Sequence, residues 1–171
     1  IEDMNNFIIN DMNVNNDSEN ISFFESYTDS IAIIFNTVID SILFEKNINY
    51  YFYTELKYLS DSVLNLLKHF GFKNINELFD KKSDKKFIQK SNVVAYYILK
   101  LGLLCEVDKL LTNFGVSCGG KKCNVKNLKW TSKKYKDLYF FSKKNLLNKN
   151  FKHNGLNKTK SLKMCYNLII Y

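Results

Sequence analysis

Two cysteines flank a glycine- and lysine-rich stretch in the C-terminal third of the chain. Cys118 and Cys123 are separated by four residues, two of which are glycines. Zinc takes four sulfur or nitrogen ligands in a tetrahedron, and two nearby thiolates supply half of such a site. His153 and Cys165 would supply the other half, so these four residues form a candidate zinc site, and zinc is the one cofactor considered. The spacing equally allows a small disulfide loop or two free thiols, and the sequence leaves these states open.

Catalytic side chains are scarce. A nucleophilic mechanism needs a positioned base, and the chain has two histidines, His69 and His153. His69 falls near the C-terminal end of a predicted helix, where its charge favours the helix dipole without any catalytic role. Glu25 and Asp29 are four residues apart on one helix face, and such like-charged pairs are expected to lie in solvent. No phosphate-binding or metalloprotease motif occurs, so we expect a non-enzymatic protein with no catalytic residues.

Lysines interleave with aromatic residues towards the C-terminus. Residues 116–171 contain fourteen lysines and one acid, Asp137, whereas residues 1–45 contain nine acids and no lysine. Lysines contact phosphates and aromatic rings stack on unpaired bases, so this segment is a candidate nucleic-acid-binding surface. Its candidate residues are Lys121, Lys122, Lys126, Lys129, Trp130, Lys133 and Lys134. The chain has no arginine, so such binding would be mainly electrostatic and weakly sequence-specific.

The residue composition offers a second explanation for the lysines. All 25 basic residues are lysine, and asparagine occurs 23 times. Because lysine and asparagine codons are rich in A and T, we expect a very AT-rich genome, such as that of a parasite or a large DNA virus. Codon bias can therefore supply lysines without a binding role. An acidic first helix packed against a basic last one would also account for the uneven charge.

The elements that position these residues are predicted to be helices. The chain has 171 residues, 46% of them apolar, and no proline. Apolar residues recur at helical spacing in five stretches, which are residues 22–44, 51–70, 74–79, 87–114 and 131–146. Gly102, within the fourth stretch, marks either a break or a close helix contact. We therefore expect an all-α fold, a compact bundle of about four to five helices with a cysteine-containing loop and a basic C-terminal segment.

The predicted domain organisation is simple. We expect residues 1–20 to be a mobile acidic arm and residues 21–171 to be one helical domain, with 116–171 packed on it or flanking it. The most apolar window, Ile31–Phe44, has 14 residues and contains Asn36 and Asp40. A bilayer span needs about 20 mostly apolar residues. This window is therefore predicted to be a buried central helix, and no membrane span is expected.

These patterns favour protein binding. We expect a helical protein–protein interaction module or a subunit of a larger assembly, because the apolar pattern is strong and catalytic groups are lacking. The alternative is a lysine-driven RNA- or DNA-binding protein, or a ribonucleoprotein component. An intracellular location is expected over secretion, because a chain of this size does not need disulfides. An exposed Trp130 on a basic face would favour nucleic acid, and an apolar groove among the first helices would favour a protein partner.

Overall fold

The computed structural model describes residues 2–15, 21–89, 91–119, 122–125 and 129–148, with the backbone alone for 2–3, 116–119 and 122–125. Over these residues the chain is mostly helical, which confirms the all-α class. In chain order the elements are helix α1 (Glu2–Asp11), strand β1 (Val14–Asn15), α2 (Phe23–Leu43), α3 (Ile48–His69), α4 (Ile75–Leu78), β2 (Phe87–Ile88), a π-helix (Val94–Leu99), α5 (Lys100–Leu104), α6 (Val107–Phe114), β3 (Val116–Gly119), β4 (Lys122–Val125) and α7 (Ser132–Leu146).

The centre of the fold is the π-helix together with α5, a stretch that we call the central segment (Val94–Leu104). Its fully buried side chains are those of Val94, Ala95, Ile98, Leu99, Leu101, Leu103 and Leu104. The sequence predicts one helix from residue 87 to residue 114. The structure divides that run into β2, the central segment and α6, and the break falls at Cys105–Glu106.

Gly102 marks a close helix contact and not a break. A Cβ atom added there would lie 2.5 Å from the backbone carbonyl oxygen of Ser142, so α7 approaches α5 more closely than any larger residue allows. Two hydrogen bonds fix this contact: Ser142 Oγ donates to Leu99 O at 2.7 Å, and Asn145 Nδ2 donates to Gly102 O at 2.9 Å. Helix α7 is therefore held against the central segment by both packing and polar contacts.

The N-terminal residues differ from the predicted mobile arm. Residues 2–11 form α1, and its Met4 and Ile8 are buried in the core. Val14 follows in β1 and pairs in parallel with Phe87 of β2. The apolar residues recur every four positions, which places them on one helix face, but the many asparagines between them hide this pattern. Residues 16–20, the rest of the predicted arm, lie outside the described residues.

Local sequence rules locate the ends of several helices. Gly71 follows α3 with a φ of 76°, the left-handed conformation that glycine adopts at helix ends. Asn74 caps α4 by accepting hydrogen bonds from the backbone N–H groups of Asn76 and Glu77. Thr131 caps α7 by accepting one from the N–H of Lys134. No helix among the described residues has both the length and the apolar character needed to cross a membrane.

Candidate binding surfaces

Helix α2 buries its small polar side chains and exposes large apolar ones. The buried polar residues are Ser26, Ser30, Thr37 and Ser41, none of which is more than 3% exposed. Phe35, Ile39 and Leu43 recur every four residues on one face and are 46%, 43% and 69% exposed, and Phe44, next to them, is 61% exposed. We call these last four residues the outer α2 surface. The prediction that Ile31–Phe44 is a buried central helix holds for one face only, where Ile34 and Val38 are in the core, and not for the outer face.

Hydrogen bonds explain why the serines of α2 face inwards. Ser26 Oγ donates to Ala95 O of the π-helix at 2.8 Å, and Ser30 Oγ donates to Ser26 O within α2 at 2.6 Å. Ser41 Oγ donates to Lys46 O at 2.5 Å and so ties the end of α2 to the following turn. These bonds satisfy the buried hydroxyls, which makes their burial tolerable. These hydrogen bonds do not explain why large apolar side chains of α2 are exposed to solvent.

Carboxylates border the exposed part of α2. The helix contains Glu25, Asp29 and Asp40 and no lysine. Contrary to the expectation of a solvated pair, Glu25 accepts a hydrogen bond from Tyr96 Oη at 2.7 Å, and Asp29 accepts one from Lys100 Nζ at 2.7 Å. Asp40, and Glu45 just after the helix, make no ion pair with the described residues. The outer α2 surface is thus accompanied by two uncompensated negative charges.

A cleft of about 440 Å³ opens between α2, α3 and the π-helix. Its lining includes Ile33, Glu55, Tyr58, Tyr96, Tyr97 and Lys100. The hydrogen bond to Glu25, followed by burial, raises the pKa of the Tyr96 phenol above its ordinary value. Lys100 Nζ lies 5.8 Å from the centre of the Tyr97 ring. The cleft is therefore an aromatic site with its own charged groups, and none of its lining residues is among the candidates that the sequence supplied.

Trp130 belongs to an aromatic cluster. Its ring centre lies 5.4 Å from that of Phe24, 4.9 Å from that of Tyr27 and 5.3 Å from that of Tyr135, each at a steep angle. Burial raises the pKa of the Tyr27 and Tyr135 phenols. Trp130 itself is half-buried. Its ring is therefore engaged with the protein on several sides, which differs from the exposed stacking platform that would favour nucleic acid.

The candidate lysines fall into three groups. Lys129 and Lys133 are exposed and Lys134 is half-buried, all close in sequence to Trp130. Lys122 lies in β4, where the backbone alone is described, and Lys121 and Lys126 lie outside the described residues. Another lysine of the basic segment has an internal partner, because Lys143 Nζ lies 2.5 Å from Asp11 Oδ2. This ion pair joins α1 to α7.

The candidate zinc residues are only partly described. Cys118 and Cys123 are opposite each other in the antiparallel pair of β3 and β4. His153 and Cys165 lie outside the described residues. Among the described residues, no group of three or more histidine, cysteine or acidic side chains is placed to hold a metal ion. Cys105 is a free thiol, and burial raises its pKa to about 12, which makes it a poor metal ligand and nucleophile.

Comparisons with protein-family models, with curated proteins and with solved structures find no match for this chain. The surfaces described above are therefore the evidence on function. The outer α2 surface and the cleft are the two features that the structure adds to the sequence-based candidates. The sequence contains one signal for the outer α2 surface. The polar residues Ser26, Ser30, Thr37 and Ser41 follow helical spacing as closely as the apolar residues do.

Proposed function

We propose that this chain is a non-enzymatic helical module that binds another protein through the outer α2 surface. The observation that carries this proposal is the orientation of α2, which turns Phe35, Ile39 and Leu43 outwards while its serines face the core. Burying a side chain of this size contributes about 1.5–3 kcal/mol. These three side chains are 43–69% exposed, so the free domain forgoes roughly half of this contribution at each position, and a bound partner would recover it.

The charges around α2 favour a partner of one kind. An apolar helix face packs well against the apolar face of another helix, and α2, with 21 residues, is about 31 Å long. Asp40 and Glu45 have no positive partner among the described residues, so a positively charged partner would find complementary charges there. The proposed partner is therefore an amphipathic helix whose apolar stripe is flanked by lysine or arginine.

A pair of designed peptides tests this proposal. The probe is a fluorescent amphipathic helix of leucine and lysine, and its counterpart has glutamate in place of lysine. We expect the lysine peptide to bind the full chain in fluorescence anisotropy. The triple variant Phe35→Ser, Ile39→Ser, Leu43→Ser should weaken this binding at least about tenfold, which corresponds to about 1.4 kcal/mol.

The control for this experiment is the double variant Ile88→Ser, Phe140→Ser. These side chains are 46% and 49% exposed, which closely matches Ile39 and Phe35, but they lie on β2 and α7. The control should bind the peptide like the unaltered chain. Equal loss in both variants, or equal binding of the two peptides, would contradict the proposal.

The alternative function is weak, lysine-driven binding of RNA or DNA. The exposure of Lys129 and Lys133 supports it, whereas the ring contacts of Trp130 argue against base stacking. Anisotropy with labelled single-stranded RNA and duplex DNA, at low and physiological salt, distinguishes the two functions. The comparison variant carries glutamine at the six candidate lysines, which are Lys121, Lys122, Lys126, Lys129, Lys133 and Lys134. Tight binding that falls steeply with salt and disappears in this variant would favour nucleic acid.

A further inference from the structure

The wall of the cleft contains an uncommon element. The π-helix has six residues, and its neighbouring residues Tyr96 and Tyr97 both line the cleft. π-Helical turns are rare and occur frequently at functional sites. This one is supported from both sides, because Ser26 of α2 donates to Ala95 O and Ser142 of α7 donates to Leu99 O. The fold therefore holds these two tyrosines in a fixed and unusual backbone setting.

The charges at the cleft are negative on balance. Lys100 is already paired with Asp29, at 2.7 Å, and so contributes little free positive charge. Glu25 accepts a hydrogen bond from the phenol of Tyr96, which brings no positive charge to it. Glu55, on the opposite wall, is exposed and makes no ion pair or hydrogen bond with the described residues. Of the two charged residues that line the cleft, Lys100 is thus paired and Glu55 is not paired with any described residue.

The aromatic rings suit the same kind of ligand. A cation is attracted to the face of an aromatic ring, and sets of such rings recognise alkylated ammonium groups. This chain already places lysines over rings, at 5.5 Å for Lys46 over Tyr50 and 5.0 Å for Lys143 over Phe79. Tyr58 is 64% exposed and makes no ring contact with the described residues. Its ring is therefore available to a ligand in the cleft.

We propose that the cleft binds an alkylammonium group. Glu55 supplies the counter-charge, the rings of Tyr58 and Tyr96 contact the ammonium, and Ile33 contacts the alkyl stem. The same chemistry occurs in a lysine side chain of a protein and in a free polyamine. This site consists of residues other than those of the outer α2 surface, so the inference does not depend on the proposed function.

The experiment is a titration of the full chain followed by NMR chemical shifts. The probes are n-butylammonium, N-acetyl-lysine methylamide, spermidine and, as a neutral match, n-butanol. We expect saturable binding of the ammonium probes with shifts centred on Tyr58 and Tyr96, and no saturable binding of butanol. Whichever of the lysine amide and spermidine binds more tightly identifies the source of the ligand, and either ranking supports the site.

Two variants and one control make the test specific. Glu55→Gln and Tyr58→Ala change exposed side chains, so both should fold, and each should weaken ammonium binding about tenfold or more. Asp61→Asn removes another exposed carboxylate of α3 that does not line the cleft, and this variant should bind like the unaltered chain. The inference is overturned if butanol binds as well as butylammonium, if no ammonium probe binds saturably, or if the three variants bind alike.

Discussion

Helices α7 and α2 both pack against the central segment, yet their outer faces differ. Helix α7 buries Leu138, Tyr139 and Leu146 and exposes lysines such as Lys133 and Lys136, as expected for an amphipathic surface helix. Helix α2 buries serines together with Phe23, Ile34 and Val38. It also exposes Phe35, Ile39 and Leu43. Both helices nevertheless donate a serine hydroxyl to a π-helix carbonyl, Ser26 to Ala95 and Ser142 to Leu99.

The two helices differ in how much of their surface the folded chain explains. The inner faces of both helices are accounted for by the folded chain, because each makes specific contacts with the central segment. The outer face of α7 is largely charged, which suits solvent, although Phe140 is 49% exposed there. The outer face of α2 is the exception, because nothing within the described residues covers it. The proposed partner would cover it, and the predictions below test the contrast.

The largest expected effect is the loss of a buried leucine from α7. Leu138→Ala should lower the free energy of unfolding by about 2–5 kcal/mol, because the side chain is fully buried and its removal leaves a cavity. Leu43→Ala on α2 should cost less than about 0.5 kcal/mol, as usual for exposed positions. Urea denaturation measures both values. Similar losses for the two variants would remove the contrast between the helices.

The second effect concerns the close contact of α5 with α7. Gly102→Ala should lower the free energy of unfolding by about 1–3 kcal/mol, because its Cβ would meet both Oγ and the backbone oxygen of Ser142. The double variant Gly102→Ala, Ser142→Ala should not restore stability, since the backbone oxygen remains in the way. Full rescue in thermal unfolding would show that the helices are less tightly apposed.

The third effect is a loss of stability at high pH on the α7 side. Burial, followed by the hydrogen bond to Asp11, raises the pKa of the Tyr139 phenol above its ordinary value of 10.0. Above about pH 10 the unfolded chain loses this proton and the folded chain keeps it. The free energy of unfolding should then fall by about 1.4 kcal/mol per pH unit from this group.

The variant Tyr139→Phe isolates that contribution. It should be less stable than the unaltered chain at pH 7, because it leaves Asp11 without the phenolic hydrogen bond. The difference between the two proteins should shrink as the pH rises above 10, and denaturant titrations at several pH values measure it. A difference that stays constant up to pH 11 would contradict the burial of this hydroxyl.

The smallest effect distinguishes two serines within α2. Ser26→Ala should cost about 1 kcal/mol, because it removes the hydrogen bond to Ala95 O of the π-helix. Ser30→Ala should be nearly neutral, since Ser30 Oγ bonds only to the preceding turn of its own helix. Denaturant unfolding of both variants provides the comparison. Equal losses in the free energy of unfolding would mean that the hydrogen bond to the π-helix contributes no more than the one within α2.

Local patterns predict part of this fold well. Gly71, Asn74 and Thr131 mark helix ends through capping chemistry that acts within a few residues, so the sequence is sufficient there. The apolar run of residues 94–104 predicts a helix but not its π-helical turn. The π-helical turn accepts hydrogen bonds from Ser26 and Ser142, which are distant from it in the sequence. The packing of α1 likewise depends on tertiary contacts, such as the bonds of Tyr139 and Lys143 to Asp11.

The candidate sites were harder to predict than the fold. Lysines and cysteines draw attention because their chemistry is known from the side chain alone. Phe35 and Leu43 have no such chemistry, and the sequence alone predicts that they are buried in the core. The cleft brings together Glu55 and Tyr96, which are 41 residues apart in the sequence. These residues come together because α3 packs beside the π-helix, and no local sequence pattern predicts this packing.

Site-specific photocrosslinking tests the central claim most directly. A photoreactive phenylalanine analogue replaces Ile39 in one protein and Ile88, a similarly exposed position, in another. Each protein is irradiated in an extract of the cells that make it, and the crosslinked peptides are sequenced. We predict that position 39 alone yields a discrete partner, joined through a segment with apolar residues at helical spacing and flanking lysines or arginines. Identical products from both positions, or a crosslink from position 39 to this chain's own residues 149–171, would contradict the account.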